Sequence, residues 1–283
     1  MRARPGSGIV SNRRGHEAKR SLGQNFLVST EVAARIVEEA GAGTGDLVFE
    51  IGPGRGALTL PLAGTGAHVV AVEIDRALAA DLQGRFQEAE LMEIVCRDIR
   101  EVDLDTETEV RGFERFTLLG NIPYNLTSTI LLELAGLERC RAALLMVQRE
   151  VGERVLTPPG ERECGILSVY MQSYMDIERV MRVRPGSFRP RPKVESVVLR
   201  LTPKAIGLGP DDRKAFLAFL KRAFSQRRKK LGSVLRDSFG MGDAGELSRL
   251  EEMSGASFDD RPEDLSLGQW NQLFEKMIQG RGA

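Results

Sequence analysis

The sequence predicts an α/β protein, a doubly wound and mostly parallel sheet followed by a small helical domain. Short apolar runs alternate with helical patterns over residues 45–160, as successive strand–helix–strand units require. One of those runs, Leu47–Ile51, leads straight into the glycine-rich turn Gly52-Pro53-Gly54-Arg55-Gly56. Beyond residue 212 the apolar residues recur at helical spacing instead.

The 283 residues suffice for a large domain plus a small one. Forty basic residues balance forty acidic ones, so any binding of nucleic acid must come from local patches and not from overall charge. Three cysteines, Cys96, Cys140 and Cys164, show no paired spacing. They imply neither a disulfide framework nor a zinc site, and a cytoplasmic location is expected. With only His16 and His68, histidine-based triad or metal chemistry is disfavoured, and no metal is expected. No run approaches the roughly 18 apolar residues of a membrane span. The basic N-terminus lacks the apolar core of a secretory signal.

Residues 1–20 carry Arg2, Arg4, Arg13, Arg14, Lys19 and Arg20 against the single acid Glu17 and read as a flexible basic arm. Ser29 or Thr30 caps a helix whose inner face is Val32, Ala33, Ile36, Val37 and Ala40, and Gly41 ends it. The amides of Gln24 and Asn25 stand just ahead of that cap, where a polar ligand could be gripped. The strand Leu47–Ile51 is apolar but for Glu50. A helix after the glycine turn should be short or kinked, because Pro61 falls inside it. Strand, glycine turn and helix in succession form a nucleotide loop, where missing Cβ atoms let a ligand approach the backbone. The spacing is G-x-G-x-G, not the G-x-G-x-x-G of dinucleotide binders. Glu73 closes the next strand, His68–Ile74, about 20 residues past the glycines, where an acid can take a ribose diol. Asp98 repeats that logic after the strand Leu91–Cys96, placed to accept from the amino group of an adenine.

The strand Phe116–Gly120 delivers Asn121-Ile122-Pro123-Tyr124. In open α/β sheets ligands bind past the strands' C-terminal ends. Asn121 offers a side-chain carbonyl. Pro123 has no N–H and drives Ile122 towards an extended conformation that can turn its carbonyl outward. Tyr124 can stack on a base, a contact worth roughly 1–3 kcal/mol. Two acceptors can take both hydrogens of an exocyclic amine and leave its lone pair as the nucleophile. Alone, the four residues fit a β-turn with a packed tyrosine equally well. Four ligand-type loops on one sheet edge do not reduce to that.

Ala142–Val147 is a fifth strand, running into Gln148-Arg149-Glu150 and a helix with Val151 and Val155. A helix over Leu167–Tyr174 and two strands, Ile177–Val183 and Val194–Leu201, follow. Between those strands, Arg184 to Lys193 holds four basic residues, no acid and three prolines. The prolines could present Phe188 to a ligand, or Phe188 could pack below a stiff connection. Residues 202–212 read as a linker. Beyond it Phe216, Leu220, Ala223 and Phe224 share a helix face. A break near Ser225-Gln226 is expected, because an unbroken helix would place Arg227 in the apolar stripe, and a second helix then carries Leu231, Val234 and Leu235. From Lys221 to Arg236 there are seven basic residues and no acid, a candidate nucleic-acid surface or a solvated face.

Together these segments resemble the KsgA-type ribosomal RNA adenine dimethyltransferases along nearly the whole chain. The matches are Gly23-Gln24-Asn25-Phe26-Leu27, Glu50-Ile51-Gly52-Pro53-Gly54, Gly56-Ala57-Leu58-Thr59, Asn121-Ile122-Pro123-Tyr124-Asn125, Val147-Gln148-Arg149-Glu150, Phe188-Arg189-Pro190 and Pro192-Lys193-Val194. Arg227-Arg228-Lys229 falls at the family's basic junction. Arg55, Pro61 and Glu195 depart from the family's usual residues without removing a motif residue. The resemblance implies a Rossmann-like methyltransferase sheet over residues 21–203, a small helical RNA-binding domain over 211–283, and S-adenosyl-L-methionine as cofactor. It implies that Gln24, Asn25, Leu27, Gly52, Gly54, Glu73, Ile74, Asp98, Ile99 and Asn121 hold that cofactor, with its methionine end over the glycines, Glu73 on the ribose and Asp98 on the adenine. Asn121, Ile122, Pro123, Tyr124 and Phe188 would hold a flipped adenosine, the two rings on either side of the base. Arg189, Arg191, Lys193, Arg227, Arg228 and Lys229 would hold RNA. The implied partner is small-subunit ribosomal RNA, free or in a pre-assembled small subunit, met by a monomer. The implied reaction is dimethylation of adenosine N6, at two adjacent sites near the 3' end of 16S RNA. Antibiotic-resistance methylases of large-subunit RNA share N-I-P-Y, but their glycine loop more often lacks the Gly-Pro-Gly form. A non-catalytic assembly factor is the binding-only alternative. An NAD-dependent dehydrogenase ranks last, since its fingerprint is missing.

Overall fold

The structure, a computed structural model, describes residues 24–204 and 212–279. The basic arm and residues 205–211 of the expected linker lie outside those described. Density of contact divides the chain into two units, one reaching to Pro123 and including Pro185–Lys193, the other made of Tyr124–Arg184 and the chain from Val194 onward.

The first unit opens with a two-residue strand, β1 (Phe26–Leu27), and a helix, α1 (Thr30–Ala40). Ser29 starts α1 by accepting the Val32 N–H at 3.3 Å, and Gly41 ends it at φ 60°. Ala33, Ile36 and Val37 are its buried face. The strand β2 (Leu47–Ile51) is buried at every position. The helix α2 (Thr59–Leu62) is one turn long, and Pro61 lies in that turn, where a missing N–H forfeits no intrahelical bond. Then come β3 (His68–Glu73), α3 (Arg76–Phe86), β4 (Met92–Cys96), α4 (Leu104–Val110) and β5 (Phe116–Asn121). The four long strands are parallel in the order β4-β3-β2-β5. The order reverses at β2, because β3 and β4 are added on one side and β5 on the other. Such a switch point opens a ligand crevice past the strand ends. Register brings those ends level: Ile51 pairs with Val72 and Gly120, and Glu73 with Cys96. Crowding favours glycine at position 120, where a Cβ would meet Ile122 Cδ1 at 2.8 Å and Ile51 Cβ at 3.1 Å.

The second unit contains α5 (Thr127–Leu134), β6 (Cys140–Gln148), α6 (Arg149–Leu156), α7 (Ile166–Tyr174) and β7 (Met175–Val183). The chain then supplies the first unit with β8 (Phe188–Arg189), which pairs antiparallel with β1, Leu27 opposite Phe188. Next, β9 (Ser196–Pro203) runs antiparallel to both β6 and β7. Four helices follow, α8 (Asp212–Ala223), α9 (Leu231–Phe239), α10 (Ala244–Ser254) and α11 (Leu267–Gln279). The break foreseen near Ser225-Gln226 is present as a 3₁₀ turn over Phe224–Gln226. An aromatic core joins these helices, with Phe216 4.8 Å from Phe274 and Phe219 5.8 Å from Trp270 between ring centroids. Among the described residues no helix is long and apolar enough to cross a membrane.

Ser29→Ala should lower the free energy of unfolding by about 1 kcal/mol, the usual worth of an N-cap. Urea unfolding would measure it; an unchanged midpoint would remove Ser29 from that role.

Candidate active site

The glycine loop leaves β2 at the switch point. Gly52, Gly54 and Gly56 have φ of 61°, 58° and 83°, conformations that other residues rarely hold. Glu73, at the end of β3, fastens the loop: its Oε2 accepts the Gly54 N–H and its Oε1 the Asp75 N–H, both at 2.9 Å. Asp75 in turn caps α3 by accepting the Ala77 N–H at 3.0 Å, and Gln24 Nε2 stands 3.5 Å from its other oxygen. Burial raises the Glu73 carboxyl above its ordinary value, opposed by the N–H groups of Asp75 and Gly54. The Arg55 guanidinium lies 4.7 Å over the Phe26 ring, which gives the loop's unexpected charge an aromatic seat.

A pocket over this loop is lined by Phe26, Leu27, Glu50, Gly52, Pro53, Gly54, Arg55, Leu58 and Asn121. Asn121 closes β5, and its Nδ2 donates to the Asn25 carbonyl at 2.9 Å. That bond fixes which end of the amide is which: nitrogen towards Asn25, with Oδ1 as the acceptor end. Glu50 was legible only as an acid in an apolar strand, yet it is 1% exposed and its Oε2 has no hydrogen-bond partner. Burial pushes its carboxyl up to about 8, Thr59 offsetting part of the rise and the charge of Glu73 adding to it. Its signal in the sequence is a lone acid inside an otherwise apolar strand.

The remaining expected cofactor residues reach the same edge with some differences. Asp98 follows β4, but Arg100 already engages its carboxylate, Nη2 to Oδ2 at 2.5 Å and Nε to Oδ1 at 3.1 Å, and holds its pKa below the usual range. An adenine amine would share Asp98 with Arg100. Ile74 is 47% exposed beside Glu73 and Ile99 is half-buried, two apolar surfaces suited to a ring. Ile122 is buried, whereas Pro123 and Tyr124 are half-buried. The Tyr124 hydroxyl lies 3.2 Å from Ser196 Oγ. Phe188 corrects the expectation of a presented ring: it is 0% exposed, because pairing with β1 turns that side chain inward, and it offers no face to a base.

The basic residues divide likewise. Arg191 and Lys193 are exposed, while Arg189 donates back to the Phe188 carbonyl at 2.9 Å. Arg227 is a clamp and not an open cation, donating to Glu263 Oε2 at 2.8 Å and to the carbonyls of Arg162 and Cys164 at 3.1 and 2.9 Å. Lys229 pairs with Asp237 at 2.8 Å, both exposed, a contact cheap to exchange. Arg228 is exposed and makes no hydrogen bond or ion pair among the described residues.

A switch-point crevice, a glycine loop, acids at the ends of two neighbouring strands and an Asn-Ile-Pro-Tyr turn after a fourth define a Rossmann-like methyltransferase. The family profile of ribosomal RNA adenine dimethylases matches residues 15–279, and the chain belongs to that family. It is 40% identical over 269 residues to ribosomal RNA small subunit methyltransferase A of Geobacter metallireducens, spanning 93% of this chain and 97% of that one. The protein of the same name from Koribacter versatilis is 40% identical over 275 residues, spanning 93% and 95%. Among solved structures, 23S rRNA methyltransferase ErmE superposes with a TM-score of 0.69 at 25% identity, over 90% of this chain and 100% of that one. A dimethyladenosine transferase from Plasmodium falciparum gives 0.70 at 22% identity, over 90% and 98%, a likeness of fold. The cofactor is S-adenosylmethionine. The pocket's lining suits a polar ligand: Glu50 Oε2 has no hydrogen-bond partner and the glycines leave the backbone bare, while Ile74 stands exposed beside Glu73.

Because Glu50 titrates near 8 when folded, against an ordinary 4.5, the folded protein holds a proton that the unfolded chain releases. The resulting stability is full below pH 4.5 and is lost as pH rises to about 8. Glu50→Gln should therefore flatten the fall of melting temperature across that window. Parallel slopes in the two proteins would show that Glu50 is ionised when folded.

Proposed function

We propose that the protein dimethylates N6 of two adjacent adenosines near the 3' end of 16S ribosomal RNA, as a step in small-subunit biogenesis. The observation that carries the chemistry is the Asn121 amide, oriented by Asn25 at the end of β5 beside the glycine loop. When bound, S-adenosylmethionine supplies a methyl group on a sulfonium, a strong electrophile. Asn121 Oδ1 accepts one hydrogen of the adenine amine and the Ile122 carbonyl the other. The nitrogen lone pair is thereby aimed, and orientation supplies most of the rate. Tyr124 stacks on the base once it has left its helix, which costs a few kcal/mol. The proton leaves after transfer, and the pocket accepts the amine again with one methyl in place. The small-subunit target is favoured over the large by identity, 40% to the small-subunit methyltransferases against 25% to ErmE.

Incubation with labelled S-adenosylmethionine and each ribosomal subunit, followed by mapping of modified adenosines, tests the substrate. Label on the large subunit alone would overturn it. Asn121→Ala should abolish transfer while RNA binding persists, since phosphate contacts dominate affinity; loss of RNA binding would give Asn121 a different role.

For RNA, Arg228→Ser with Lys229→Ser should lower the slope of log affinity against log salt by about 1.4–1.8. Arg227→Ser should instead depress the melting temperature, because it releases two carbonyls and Glu263. An unchanged slope in the double variant would move the RNA path to the N-terminal arm.

A further inference from the structure

We propose that Ser196 is a positioning residue for methyl transfer: through the Tyr124 hydroxyl it sets the plane of the ring that stacks on the target base. The inference rests on the function proposed above. A tyrosine ring turns about two side-chain bonds, so a half-buried ring held only at its backbone samples several planes. An anchor at the far end removes that freedom. Tyr124 has such an anchor, its hydroxyl 3.2 Å from Ser196 Oγ, 72 residues away in sequence.

Ser196 is suited to anchor because strands hold its backbone on both sides. It is fully buried, the first residue of β9, paired with Gln148 of β6 on one side and Val183 of β7 on the other. One residue earlier, the Glu195 carbonyl accepts the Arg149 N–H at 2.9 Å, and the Glu195 carboxylate meets Arg149 Nη1 at 3.0 Å. The motif Val147-Gln148-Arg149-Glu150, which the chemistry above leaves unused, thus fixes the backbone that carries the hydroxyl. Composition points the same way. Val197, Val198 and Leu199 follow, all 0% exposed, so an apolar side chain would suit position 196 for packing alone. A hydroxyl buried there needs a partner, and Tyr124 is that partner.

The test is a double-mutant cycle on the methylation of small subunits. Ser196→Ala and Tyr124→Phe should each lower kcat about fivefold, the factor one neutral hydrogen bond is worth, and leave KM for cofactor and for RNA unmoved. The double variant should be no slower than either single one. Ser196→Cys, of nearly the same size with a weaker donor, should recover part of the loss, and it carries the test if Ser196→Ala does not fold. Losses that multiply, or an unchanged kcat, would overturn the proposal. A second readout needs no substrate. The chain has three tyrosines, so 3-fluorotyrosine labelling gives three ¹⁹F signals, with that of Tyr124 identified by its absence in Tyr124→Phe. Ser196→Ala should shift and broaden that signal while those of Tyr170 and Tyr174 stay put. An unmoved signal sinks the anchoring itself, whereas a wild-type protein that transfers no methyl group sinks the function on which it rests.

Discussion

The carboxylate of Glu73 is the tie on which the site depends. One oxygen holds Gly54 in the loop beyond β2, and the other holds Asp75 at the start of α3. Three left-handed glycines make that loop soft, and a charge-assisted hydrogen bond is the firmer kind. Each carboxylate oxygen has a second lone pair, so the acid that orders the loop can still accept from a ribose hydroxyl. Burial works against its charge and raises its pKa, and backbone N–H groups, those of Asp75 and Gly54 foremost, oppose that rise.

Much of this was legible because buried parallel strands read as unbroken apolar runs with glycine or acid at their ends. Leu47–Ile51 is found with both expected bounds, and Pro61 and the Ser225-Gln226 break act where their chemistry says they must. Three features were not legible, each for a physical reason. The β1–β8 pairing that buries Phe188 joins segments far apart in the chain, and neither two-residue strand carries a periodic signal. Arg227 looks like any cation of its run, because its partners are carbonyls 63 and 65 residues away. Glu50 is visible as a residue type, but desolvation belongs to the folded environment and not to spacing.

A chain with no net charge meets a polyanion under a particular constraint. Among the described residues several of its cations are already paired: Lys229 with Asp237, Lys230 with Asp259, Arg149 with Glu195. Exposed pairs of this kind are worth little, so a phosphate can displace the acid at small cost.

The crowding at Gly120 has a consequence for the turn that follows it. A methyl group there would crowd the side chain of the residue after Asn121 and the neighbouring strand. The Asn-Ile-Pro-Tyr turn therefore carries a silent fifth member on its N-terminal side. A redesign of the turn's chemistry that keeps its path would have to keep this small residue or move Ile51 and Ile122 to make room.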